Sequence, residues 1–97
     1  MLRTRKTDGG SIARVEGAAG EMMLFYLTWQ TFLWEGFLKK ADFKDPESRP
    51  LREIKSVIER VNDGNELVLS DNGSLFEHAY THAVGVCRSV GIEVEEE

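Results

Sequence analysis

The chain is poor in the residues that most often staple, break or ligate: 97 residues carry one cysteine, two prolines and two histidines. Cys87 alone cannot close an intramolecular disulfide, and His78 and His82 do not complete the Cys/His set that a structural zinc requires. A reducing, cytoplasmic setting is expected. Long apolar runs are missing too. The most apolar stretch, Met22 to Trp34, is interrupted by Thr28, Gln30 and Thr31 and bordered by Glu21 and Glu35, well short of the roughly 20 apolar residues of a membrane span. Positive charge is scarce, with 12 basic against 17 acidic side chains and a formal net charge of −5. Broad binding to a phosphate backbone needs clustered Lys and Arg, so nucleic acid is not expected as a partner. The local cluster of Arg3, Arg5 and Lys6 is the one basic patch. No apolar core follows this opening, so it does not read as a secretory signal.

What is present is enough for a packed interior. Hydrophobic residues make up 41% of the chain and charged residues 30%, which places it among globular domains and apart from disordered ones. A single domain over 1–97 is expected. At this size only about 60–70% of the unfolded surface is buried on folding, so stability that leans on a partner is part of the expectation.

Periodicity predicts a mainly α, three-helix domain. Residues 1–10 are polar and end in Asp8-Gly9-Gly10, which reads as a flexible arm. A long first helix is expected over about 11–40. In it Ile12, Val15, Ala19, Met22, Tyr26, Trp29, Leu33 and Phe37 line one stripe at the 3-and-4 spacing of a helix. Phe25 and Phe32 widen the stripe on one side, and Met23, Leu27, Trp34 and Leu38 on the other. Roughly two-thirds of the circumference then wants burial, more than an ordinary surface helix buries. After a loop over Asp42 to Pro50, a short helix over about 50–62 carries Leu51, Ile54, Val57, Ile58 and Val61 inward, with Asn62-Asp63-Gly64 as its stop. A third helix over about 74–90 opens on the capping-box pattern Ser74-x-x-Glu77, buries Phe76, Tyr80, Ala83, Cys87 and Val90, and ends at Gly91. Residues 66–70 and 92–96 are candidate short strands. In an alternative α+β reading they pair as parallel strands about the third helix in a βαβ unit.

No constellation for catalysis stands out. His78 and His82 are four apart and share a helix face, the geometry of a two-histidine metal half-site, but two ligands do not make a site. Their bland reading is a solvated helix face, and they stay weak metal candidates. Cys87 falls on an apolar stripe, where a small buried hydrophobe is the common case. The Asp71-Asn72-Gly73-Ser74 turn before a helix lacks the longer glycine pattern of a phosphate loop. Gln30 is the odd polar residue on an apolar surface and needs a hydrogen-bond partner.

Six of the nine aromatic residues fall between Phe25 and Phe37. Core packing is their default, and a protein interface anchored by Trp and Tyr is the competing account. A first helix with so broad an apolar surface predicts self-association, because exposed contiguous apolar patches mark interfaces. The leading expectation is a small helical interaction or regulatory module that forms a homodimer and binds a protein partner. Its interface or pocket residues are Tyr26, Trp29, Gln30, Leu33, Trp34 and Phe37. No cofactor, catalytic residue or resident metal is expected. The rival expectation is a small-molecule-binding domain or enzyme with a pocket between helices lined by Trp29, Trp34, Tyr80 and Gln30.

Overall fold

A computed structural model gives the fold and describes residues 1–7, 12–34, 49–63, 66–70 and 75–97. The elements in chain order are β1 (Leu2–Lys6), β2 (Ile12–Glu16), α1 (Ala19–Trp34), α2 (Arg49–Asn62), β3 (Leu67–Ser70), α3 (Phe76–Ser89) and β4 (Val94–Glu96). The strands form one mixed sheet in the order β3-β2-β1-β4. β2 is antiparallel to both β1 and β3, while β4 lies parallel to β1 with Leu2 opposite Val94. The fold is therefore α+β, and the mainly α, three-helix expectation is overturned.

Two segments account for the correction. Residues 1–10, read as a flexible arm, contain β1, which is hydrogen-bonded on both sides. Its alternation is hard to see because only Leu2 is hydrocarbon on the inward side. The next inward residue, Thr4, is polar yet 1% exposed, and Thr4 Oγ1 lies 2.5 Å from the Tyr80 hydroxyl, which makes its burial tolerable. The expected helix over 11–40 begins instead with β2. Across so short a stretch Ile12 and Val15 fit helical spacing, while Ala13 and Val15 fit a strand. Ladders on both sides and the complete burial of Ala13 and Val15 decide for the strand. Ile12, placed on the helix stripe, is on the exposed side.

Gly17 ends this strand for a steric reason. A Cβ there would lie 2.6 Å from Leu2 Cδ2 and 2.8 Å from the Met1 carbonyl oxygen, so the chain leaving β2 passes too close to β1 for any side chain. α1 starts just beyond. Residues 35–48, including Phe37 and Leu38, lie outside the described residues.

The alternative βαβ reading is corrected in its pairing. β3 and β4 exist and run in the same direction, but they occupy opposite edges of the sheet, with β2 and β1 between them. α3 crosses this split. The capping-box residue Ser74 lies outside the described residues, and Glu77 accepts a 2.9 Å hydrogen bond from Lys6 Nζ. The C-terminus of α3 ends as expected at Gly91. Its φ of 91° suits glycine, and the Gly91 N–H and Ile92 N–H donate to the Arg88 and Cys87 carbonyls in a Schellman closure. Val90, placed on the core stripe, is 60% exposed at the helix end.

The inward residues of the sheet, Leu2, Thr4, Ala13, Val15, Leu67, Leu69 and Val94, face the helical layer and are buried. α1 supplies Met22, Phe25, Tyr26, Trp29 and Leu33 to the same core, and α3 supplies Phe76, Ala79, Tyr80, Ala83, Val84 and Cys87. Edge-to-face aromatic pairs join α1 to α3: Phe25 with Tyr80 at 6.0 Å and Trp29 with Phe76 at 6.1 Å. α1 is apolar nearly all round because it is the central helix, packed against α2, α3 and β3. α2 has one apolar face, on which Val57 and Val61 are buried, and Ile58 at its margin is 40% exposed.

Candidate ligand-binding cleft

Where α1, α2 and β3 meet, the packing leaves a cleft of about 280 Å³. α1 contributes Tyr26, Trp29 and Gln30, which share a face through their i, i+3 and i+4 spacing. α2 contributes Ser56, Val57 and Arg60, and β3 contributes Val68, Leu69 and Ser70. The inner part is built from buried residues, with Trp29 and Gln30 exposed by 3% and 7%. Ser56, Arg60 and Ser70 are exposed and form the outer part.

The hydrogen bonding of this cleft is incomplete. Gln30 Nε2 donates to the Tyr26 hydroxyl at 2.9 Å, which fixes the amide one turn along the helix. Gln30 Oε1 is then a buried acceptor without a partner, and Trp29 Nε1–H is a buried donor without one. An unpaired buried polar group costs about 1–3 kcal/mol. These two are the only buried side-chain polar atoms in that condition among the described residues, and both belong to residues that line the same cleft. Arg60 is the one charged residue in the described lining.

Chemically, this lining offers an indole donor, an amide acceptor, three hydroxyls and a positive charge beside the apolar Val57, Val68 and Leu69. No His, Cys, Asp or Glu contributes among the described residues. That is the composition of a site that holds and orients a molecule through a few placed polar groups.

The sequence-predicted positions divide around it. Tyr26, Trp29 and Gln30 line the cleft. Leu33 is buried in the core and does not reach it. Trp34 closes α1, and both its side chain and the whole of Phe37 lie outside what is described. Tyr80, the other residue of the rival pocket, sits elsewhere: its hydroxyl meets Thr4, and Lys6 Nζ lies 5.0 Å from its ring centroid. Burial pushes the Tyr80 phenol above its ordinary 10.0, against the hydrogen bond to Thr4, which works the other way.

His78 and His82 are exposed on α3, and the His82 ring lies 5.3 Å from that of Phe32. No group of three or more metal-ligating side chains forms among the described residues. Cys87 is fully buried, and burial first, then the charge of Glu21, raises its thiol above the ordinary 9.0. No described helix is long and apolar enough to cross a membrane.

Ser56, Arg60, Val68 and Ser70 are the cleft residues that sequence reasoning missed. Ser56 and Arg60 flank the inward stripe of α2, so each reads as helix surface until it is known that α2 faces Trp29 and Gln30. Val68 and Ser70 carried no signal, since a four-residue strand has no inside or outside until its neighbours are known. Comparison with protein-family models, curated proteins and solved structures finds no match.

Proposed function

We propose that the chain is a small ligand-binding module that holds a small polar organic molecule between α1, α2 and β3. The observation that carries this reading is that Trp29 and Gln30, each with a buried polar atom left unpartnered, line one cleft together. A ligand carrying an acceptor beside a donor completes both bonds and removes the desolvation cost of each. The described lining supplies binding contacts, so the reading is of binding.

The test is a titration followed by the indole ¹H–¹⁵N resonances, with Trp34→Phe used to assign the signal of Trp29. Three neutral cyclic or open amides serve as probes: uracil, hydantoin and N-methylacetamide. At millimolar concentration at least one is expected to shift the Trp29 resonance in the direction of a formed hydrogen bond, and Ser56→Phe, which narrows the outer part, is expected to abolish the shift. A Trp29 resonance unmoved by all three probes overturns the reading.

Self-association is a separate proposal, in which the module works as a homodimer in a reducing, cytoplasmic setting. With Tyr26, Trp29 and Leu33 buried inside the chain, its contact would not run through those side chains. A solution mass by light scattering that stays at one chain into the high micromolar range removes it.

A further inference from the structure

We infer that the molecule the cleft takes is an organic anion, with its acidic group at Arg60 and its amide-like donor–acceptor edge against Trp29 and Gln30. This rests on the proposed binding function and adds the charge and orientation of the ligand.

The argument turns on where cations lie free in an acidic chain. Arg3, Lys6, Arg14 and Arg88 are each held by a carboxylate, from Glu95, Glu77, Glu66 and Glu96 respectively. Arg60 has no ion pair and no carboxylate shares its cleft among the described residues. Arg5 also lacks an ion pair, but the hollow it lines on the open sheet face contains Glu16 and Glu97, which offset its charge. Arg52 and Lys55 line neither this cleft nor that hollow. Within a chain of net charge −5, this cleft is thus a concave site whose described lining carries positive formal charge alone, and a cleft lined by one sign of charge raises the potential for an anion there.

Depth then fixes orientation. The guanidinium is in the outer part, where an acid can keep part of its hydration and still form a charge-assisted, bidentate contact. Trp29 and Gln30 are in the inner part, where a neutral amide edge loses least on desolvation. At about 280 Å³ the cleft sits near the lower end of ligand-site volumes, roughly 300–1,000 Å³. It is scaled to a single ring or short chain bearing one acid.

Orotate, a cyclic imide carrying a carboxylate, is compared with uracil, the same ring without it, by the Trp29 indole resonance. Orotate is expected to bind the full chain at least about tenfold more tightly than uracil, a charge-assisted hydrogen bond being worth roughly that factor or more. The advantage is expected to shrink with added salt and to vanish in Arg60→Gln, whose exposed position leaves the remaining amide spectrum unchanged. Equal binding of the two rings, or an orotate preference that survives Arg60→Gln, overturns the anion and its orientation while the binding function stands. Failure of both rings, with hydantoin and N-methylacetamide also silent, brings down the binding function and this inference together.

Discussion

Gln30 uses its amide nitrogen on the Tyr26 hydroxyl and leaves its oxygen buried without a donor. A residue kept in that state costs the free chain stability that an apolar side chain of similar shape would not, so Gln30→Met is expected to stabilise the unliganded chain. Removing the unpaired acceptor gains about 1–3 kcal/mol and losing the bond to Tyr26 costs about 1 kcal/mol, for a net rise near 1 kcal/mol. Urea unfolding with an unchanged slope checks this, and the same variant is expected to lose uracil binding. A drop of more than 1 kcal/mol would make Gln30 a structural residue. That Gln30 is unusual can be read from the sequence, since it is the one amide inside an apolar run. Arg60 cannot be found that way. Its charge is ordinary for a helix surface, and what distinguishes it is that, among the described residues, no carboxylate pairs with it or lines its cleft, a property of three elements folded together.

At the scale of elements, β1 shows how far local pattern reaches. Leu-Arg-Thr-Arg-Lys reads as a basic tail because a strand is recognised by apolar alternation, and here the second inward position is held by a threonine whose partner, Tyr80, is 76 residues away. The helices are more legible, because 3-and-4 spacing repeats over several turns: α2 and α3 fall within two residues of their expected bounds. α1 was legible in its apolar girth, and that girth is explained by neighbours on several sides within the chain. The two readings of residues 1–7 separate in one experiment. Removal of a flexible arm would leave the fold intact, whereas β1 lies between β2 and β4 and contributes fully buried Leu2 and Thr4. Deleting residues 1–7 is therefore expected to abolish cooperative unfolding and amide dispersion, measured by circular dichroism and ¹⁵N correlation spectra.

For the molecule as a whole, one layer of helices covers one face of the sheet, and the other face carries Arg3, Arg5, Ile12, Arg14, Val68 and Glu95 toward solvent. Two buried groups in the covered layer set the behaviour of the molecule in alkali. The Cys87 thiol and the Tyr80 phenol are neutral when protonated, and burial raises both above their ordinary values of 9.0 and 10.0. The unfolded chain releases these protons first. Stability from both groups is thus fully present below about pH 9 and is lost as pH rises from there through the higher folded values. Urea midpoints between about pH 7 and pH 11 are expected to be flat at first and then fall. Cys87→Ala is expected to delay the onset, and a curve unaltered by that variant would exclude the thiol.

The parallel pairing of Leu2 with Val94 also has a consequence for how the protein is made. On a ribosome β1 and β2 emerge together and can meet at once, and β3 can join after α1 and α2. One side of β1, with the buried Leu2 beside it, stays open until β4 has been translated. The nascent chain thus carries an unfinished edge while α1, α2, β3 and α3 are being made, the kind of edge that invites strands from other chains. Completion by a pairing of such high sequence separation also slows folding. The same adjacency brings the entry of β1 beside the entry of β4, so a permuted gene that begins at α1 and joins Val94–Glu96 to Leu2–Lys6 through a crossover linker would translate the two partner strands in succession and close the edge early.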